Sequence, residues 1–415
     1  MMIQFNAMHS EIWELLQSLE ASIPRHLSGL ERLRFIGEMI VEKMIEEDRA
    51  ALRNFIDNLL HELHRTGASD IDFGGAGCKG QFWMRLHSVK RPVEEIAPLT
   101  NDGFGILIQN LLTESQRENF YDHRNLDFSY TLVDDLGVQF HFRADAYLEM
   151  DSLAVNFRTI NTNLRHIDGY MFHPYVLGIL SLTNTKEGLI LITGITGSGK
   201  SSTLDSIVDY NNNSIEGHIV IVASPLEFIH TSKRCLIRHR EVGRDTRTFK
   251  TGTVEALRQD PDIIVVGEMR DPETITAALE AADSGHKVIS TLHTSSCMES
   301  IERIIGEMPP NEQDRVKMRL GSVLKCVISQ KLVPTLTGEL TLAREVMVML
   351  PSIQAAIRNN NIEEIYQMIG EGNKFGMITM EQHLKYLYSI RKISLQTAEN
   401  YANNKRMMQQ LLRAA

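Results

Sequence analysis

The stretch Gly194-Ile-Thr-Gly-Ser-Gly-Lys-Ser201 follows the apolar run Leu189-Ile-Leu-Ile192 and precedes Thr203-Leu-Asp-Ser-Ile-Val-Asp-Tyr210, whose composition predicts a helix. Buried strand, glycine loop and helix N-terminus in that order fit the phosphate-binding loop G-x-x-x-x-G-K-[ST]. Gly194, Gly197 and Gly199 let the backbone fold its N–H groups around a polyphosphate, and the helix aims its positive end at it. Thr196, Ser198 and Ser202 complete the binding stretch. Lys200 is placed to reach the β- and γ-phosphates and Ser201 to offer its hydroxyl to Mg²⁺. A glycine-rich turn alone would lack the flanking strand and helix. These residues predict a nucleoside triphosphate site.

Outward from the loop, Ile219-Val-Ile-Val222, Ile263-Ile-Val-Val266 and Lys287-Val-Ile-Ser-Thr-Leu292 are strand-like apolar runs, with helices expected around Val254 to Arg258 and from Thr274 to Asp283. Near-continuous apolar strands alternating with helices predict a parallel sheet covered on both faces. The fold class is therefore α/β, with a RecA-like P-loop core over residues 187–350. Asp262-Ile-Ile-Val-Val-Gly-Glu268 ends an apolar strand in a carboxylate, a position from which Glu268 can act on Mg²⁺ or on the attacking water. Glu227, after Pro225, offers a second carboxylate. His293, in Ser290-Thr-Leu-His-Thr294, follows another strand and is placed to touch the γ-phosphate.

With 415 residues, 43% of them hydrophobic, the chain has apolar material for two or three domains. A formal charge of −10 disfavours a nucleic-acid backbone as main partner, since that contact is built largely from Lys and Arg. Cys78, Cys235, Cys297 and Cys326 lie far apart and form no C-x-x-C pair, which points away from zinc ribbons and disulfide frameworks and towards a reducing cytoplasm. No apolar run approaches the ~18 residues of a membrane span, and the start lacks a secretory-signal profile. Membrane contact is expected only through a partner or a surface helix.

The amino-terminal part has two patterns. Three-to-four spacing of apolar residues from Leu33 to Leu63 predicts helices, giving a helical extension over 1–50 that continues into a small α+β domain over 51–160. Strands are expected at Asp70–Phe73, Gln81–His87 and Leu126–Leu132, with a helix at Phe104–Leu112. Val138–Tyr147 and Leu153–Ile160 flank a polar turn centred between Met150 and Asp151. That register puts Phe142, Ala144, Ala146 and Leu148 on one face with Leu153, Val155 and Phe157, and sets Arg143 opposite Arg158 on the other. Like charges across a ladder repel unless an anion lies near them or water separates them. Residues 161–186 are expected to be a linker with one helix, and 351–415 a helical carboxy-terminal segment.

Taken together, Gly194–Ser201, Pro225-Leu-Glu-Phe228, His239-Arg-Glu-Val-Gly-Arg-Asp-Thr246, Val266-Gly-Glu-Met-Arg-Asp271 and Gly285–Thr294 resemble the secretion ATPase superfamily, and within it the retraction-type ATPases of type IV pili, the PilT/PilU group. The resemblance runs from about residue 50 to about residue 395. It implies ATP with Mg²⁺, Lys200 and Ser201 as Walker A, Glu227 as the acidic-box glutamate, Glu268 as the Walker B glutamate and His293 as the histidine box. Arg143 and Arg158 match the two arginines that a PAS-like amino-terminal domain sends towards the nucleotide. Ile328-Ser-Gln-Lys-Leu332, Ala356-Ile-Arg-Asn359 and Gly376-Met-Ile-Thr379 match the carboxy-terminal part. Also implied are a homo-oligomeric ring of six, an inner-membrane pilus platform protein and a paralogous pilus ATPase as partners, and a cytoplasmic location at the inner face of the inner membrane. Two departures stand out: Ala223-Ser224 replace the first acids of a box that normally reads Glu-Asp-Pro-x-Glu, and Asn360-Asn-Ile-Glu363 replaces Leu-Ile-Arg-Glu. The first leaves open a weakly hydrolysing accessory retraction subunit, and the second leaves open the direction of pilus movement; an ATPase of a related type IV secretion or conjugation system is the other alternative.

Overall fold

Alternating apolar residues along 125–159 build a meander whose inner face must be covered by helices. The computed structural model describes residues 8–86, 89–134, 136–160 and 164–413. It divides into one unit of residues up to 160 with 224–229 and 243–245, and a second made of the rest.

Among the described residues the first unit holds β1 (Asp70–Gly74), β2 (Trp83–Leu86), β3 (Val89–Pro92), β4 (Asn125–Val133), β5 (Gln139–Glu149) and β6 (Ser152–Thr159) in one sheet of order β3-β2-β1-β6-β5-β4. All its pairings are antiparallel. The β5–β6 register is the expected one, Arg143 opposite Arg158 and Leu148 opposite Leu153. Met150 and Asp151 form the turn with φ of 44° and 63°, the pair of positive angles that matches strand twist in a two-residue hairpin. Helix Asn101–Leu111, capped by Thr100, and helix Glu114–His123, opened by a Thr113/Gln116 capping box, complete the unit's middle; the second was not legible in the sequence. Phe73 stacks on Phe157 at 5.7 Å, and Phe73, Phe82, Phe104 and Phe157 are fully buried. Each contributes roughly 2–3 kcal/mol of transfer free energy.

The helices Met8–Glu20, Gly29–Phe35 and Glu46–Arg65 send Ile12, Leu16, Leu33, Leu52 and Phe55 into that same core. The expected boundary at residue 50 therefore separates no second core, because these apolar faces cover the same cluster. Residues 1–7 of the expected extension, and His87 at the end of an expected strand, lie outside the described residues.

In the second unit, β7 (Gly188–Thr193), β8 (Gly217–Ala223), β9 (Cys235–Glu241), β10 (Ile263–Val266), β11 (Lys287–Leu292), β12 (Leu324–Pro334) and β13 (Leu340–Val348) form a sheet of order β13-β12-β7-β11-β10-β8-β9. Six strands run parallel and β13 returns antiparallel at one edge. This is the α/β core expected from the apolar runs, with β9, β12 and β13 added. Helix Phe249–Ala256 starts earlier than expected, because Thr248 caps it by accepting from Thr251 N at 3.0 Å. The stretch expected as a linker is packed from residue 164 on: Ser206 Oγ donates to Arg165 O at 2.7 Å, and Arg344 donates to the carbonyls of Tyr170 and Met171. Residues 161–163 lie outside the described residues. Helices Met380–Ser389, Leu395–Tyr401 and Lys405–Arg413 close a smaller core of Met380, Leu384, Ile393, Ala398 and Met408 over Val333 of β12 and Ala343 of β13.

Candidate active site

All six residues of β7 are buried, and the chain leaves it in the loop 194–199 before entering helix Lys200–Ser214. A side chain at Gly194 would come within 2.3 Å of Ser198 Oγ and 2.5 Å of Gln330 O, so the loop closes on itself only with glycine there. Gly199 holds φ 85° at the helix N-cap, a left-handed angle that costs glycine little. Ile195, Thr196 and Gly197 are exposed at the loop tip, Ser201 is half-buried, Ser202 is exposed, and Ser198 and Lys200 are buried. Lys200 Nζ donates to Gly194 O at 2.8 Å and Ile195 O at 3.3 Å, which seats its ammonium inside the loop. A 15-residue helix that starts directly after a glycine loop has the geometry of an anion site.

Glu268 and His293 follow β10 and β11, and β11 lies between β7 and β10. The turn carrying Glu268 is fixed by Gly267 N donating to Val222 O at 2.8 Å, Met269 N to Thr291 O at 3.2 Å and Thr291 Oγ1 to Gly267 O at 2.7 Å. His293 Nε2 stands 3.1 Å from Glu268 Oε1, and Arg270 Nε lies 2.7 Å from Glu268 Oε2. Partial burial, helped by the nearby Lys200 ammonium, holds the His293 imidazole below its ordinary value against the opposing pull of Glu268. The ring is thus neutral near pH 7. Three adjacent strand ends thereby bring together a phosphate-loop lysine, a carboxylate and a neutral imidazole.

Glu227, Arg143 and Arg158 belong to the other unit. Arg143 lies 3.7 Å from Glu227 and 3.5 Å from Asp127, and Arg158 Nη2 lies 2.8 Å from Asp70. The repulsion expected across the hairpin is therefore relieved by carboxylates of the same unit. Against burial, which opposes it, hydrogen bonds from Ser69 and Arg158 hold Asp70 below its ordinary value.

Two residues without an assigned role in the sequence reading belong to the site. Arg270 is the second partner of Glu268. Gln330 on β12 is fully buried and donates from Nε2 to Ser198 O at 2.9 Å while its Oε1 accepts from Thr203 Oγ1 at 3.0 Å, bracing both loop and helix. No local pattern announces it, since Gln330 stands between Ser329 and Lys331 in Ile328-Ser-Gln-Lys-Leu332. Among the described residues no three His, Cys, Asp or Glu side chains converge as a metal cage. One hydroxyl, Ser201, and one carboxylate, Glu268, suit a hard divalent cation whose other ligands are water and phosphate oxygens.

A family profile described as Type II/IV secretion system protein matches residues 45–412. The chain is 38% identical over 351 residues to the type IV pilus retractation ATPase PilT of Pseudomonas aeruginosa, covering 84% of this chain and 98% of that one. It is 34% identical over 326 residues to a twitching motility protein of Neisseria gonorrhoeae, covering 78% and 85% of the two chains. Its fold matches the crystal structure of the pilus retraction motor PilT with bound ADP at a TM-score of 0.75 and 32% identity, over 86% of this chain and 99% of that one.

Proposed function

The chain belongs to the type II/IV secretion system protein family, and on that premise we propose that it is an ATP-hydrolysing motor that powers retraction of type IV pili and hence twitching motility. The observation that carries this reading is the meeting of the Lys200 loop with the Glu268–His293 pair at adjacent strand ends. In this reading ATP lies with its phosphates against the N–H groups of 194–202, and Lys200 places its charge on the β- and γ-phosphates. Ser201 and Glu268 would hold Mg²⁺, which when bound neutralises charge on the phosphate oxygens. Glu268 orients the attacking water and accepts its proton, and His293, a neutral partner of Glu268, senses the γ-phosphate. Glu227, Arg143 and Arg158 complete the chemistry from the amino-terminal unit. The working assembly is a homohexameric ring on the cytoplasmic face of the inner membrane, acting on a pilus platform protein, with a paralogous pilus ATPase as a further partner.

A second reading, an accessory subunit with little hydrolysis, is favoured by Ala223-Ser224, which leave Glu227 as the acid of its box. Turnover by the purified full chain separates the two. The motor reading expects steady hydrolysis that falls to background in Lys200→Ala, and a Glu268→Gln variant that keeps nucleotide binding while losing roughly 100-fold or more in rate. A deletion strain should keep surface pili but fail to spread, and regain spreading with the wild-type gene alone. Wild-type turnover no higher than that of Lys200→Ala would replace the motor by the accessory subunit.

A further inference from the structure

Two consecutive residues of β12 face opposite ways, as strand geometry requires, and each is fastened to a different part of the second unit. Gln330 holds the phosphate loop at Ser198 O and the following helix at Thr203 Oγ1, with both ends of its buried amide in use. Lys331 donates from Nζ to Tyr401 O at 2.8 Å and to Asn403 Oδ1 at 2.6 Å. Asn403 Nδ2 in turn donates to Ser295 O at 3.1 Å, two residues beyond His293. Asn404 N donates at 2.7 Å to Oε1 of the buried Glu381, whose Oε2 accepts from Tyr366. The segment 401–404 is thus tied to the strand that braces the phosphate loop and to the loop behind His293. Helix Lys405–Arg413 begins directly after it, held mainly through Met408.

We propose that Gln330 is a positioning residue for the phosphate loop and that, together with Lys331, it couples nucleotide binding to the carboxy-terminal segment 401–413. The coupling rests on the reading of Gly194–Ser201 as the nucleotide site. Phosphates that recruit the Lys200 ammonium and the loop N–H groups shift the balance of bonds around Ser198. A buried amide left half-paired is unfavourable, so Gln330 follows the loop. Its strand neighbour Lys331 carries that shift to the carbonyl of Tyr401 and the side chain of Asn403. Coupling of this kind is reciprocal: a partner that moves helix Lys405–Arg413 alters nucleotide affinity by the same factor.

Hydrogen exchange of the full chain, with and without saturating MgADP, tests the coupling. In the wild type MgADP should change exchange across 401–413 by roughly threefold or more. Gln330→Leu should weaken ADP binding by roughly five- to tenfold, the loss of one buried hydrogen-bonded brace. Once saturated, it should no longer transmit the change to 401–413. Lys331→Met should bind ADP within about twofold of wild type and also lose the change, and it decides the matter if Gln330→Leu does not fold. A merely structural role would lower the melting temperature of the variants and leave the ADP-dependent difference in place. The proposal is overturned if exchange at 401–413 ignores MgADP in the wild type, or if the response persists in the variants. A wild-type chain that binds no MgADP would overturn the nucleotide-site reading itself, and this coupling with it.

Discussion

A lysine sealed from water makes part of the second unit's stability depend on pH. Lys287 opens β11, is fully buried, and donates from Nζ to Ile179 O at 2.7 Å and Thr185 O at 3.0 Å, fastening the end of helix Pro174–Leu180. Burial lowers its pKa to about 7 from an ordinary value of 10.5. Between those two values the unfolded chain binds one proton more than the folded one, so stability rises with pH across that window. Below about 7 the folded state keeps its buried ammonium and the penalty stays constant. The stability of wild type relative to Lys287→Met should therefore be flat in mild acid and then climb by at most about 1.4 kcal/mol per pH unit above neutrality. Thermal melts of the two proteins from pH 6 to 9.5 measure it, and parallel curves would mean that the two carbonyls fully satisfy the ammonium. Nothing in the sequence flags Lys287, which reads as the polar first residue of a strand. Glu268 and His293 were legible because each follows a strand that the apolar runs already mark, and Lys200 because it ends a glycine loop leading from such a strand into a helix.

The β5–β6 hairpin is the element whose register the sequence specifies most tightly, and its charges depend on a third strand. Arg158 pairs across the ladder with Asp70 of β1 on one side and Arg143 on the other, and Arg85 of β2 lies 3.6 Å from the same Asp70. Asp70→Asn should leave these three guanidinium groups facing one another with weaker compensation, lowering unfolding free energy at neutral pH by about 1–3 kcal/mol. Because Asp70 titrates below its ordinary 3.8, its contribution is present above that value and fades as pH falls through the lower, folded one. Denaturant unfolding should show the deficit at pH 7 and its loss in stronger acid; no deficit at pH 7 would reduce the pairing to a solvated contact. The hairpin was readable because its apolar positions alternate on both sides of a two-residue turn. β9 was not, since the charged run Arg238-His-Arg240 hides an edge strand. β12 is neither alternating nor continuous in burial, and its parallel partner β7 lies far away in sequence, so the role of Gln330 follows from that pairing and from no local pattern.

The residues assigned to catalysis are divided between the two units. Lys200, Glu268 and His293 stand on one unit, whereas Arg143 and Arg158 project from the polar face of a hairpin on the other. Their carboxylate partners are Asp127, Glu227 and Asp70, and Arg158 in particular is two-thirds exposed, with its side chain at 66%. In the proposed ring of identical subunits, exposed guanidinium groups are available to a nucleotide bound at a subunit interface, where planar donors stabilise charge that develops on the phosphoryl group. In phosphoryl transfer such neutralisation is worth roughly 10³-fold or more in rate, so loss of either arginine should cripple turnover and leave each subunit folded. Glu227 then has a defined part, since Arg143 must leave its carboxylate to serve phosphate. Mixing separates action within one chain from action between neighbours. A protein carrying Arg143→Ala and Arg158→Ala keeps its phosphate loop, and a Lys200→Ala protein keeps its arginines; each alone should be inactive. If the arginines act on a neighbour, some mixed interfaces combine an intact loop with intact arginines, and activity should return in proportion to their frequency as the mixing ratio is varied. No return, with subunit exchange shown by fluorescence transfer between labelled chains, would confine the arginines to their own chain or remove them from catalysis.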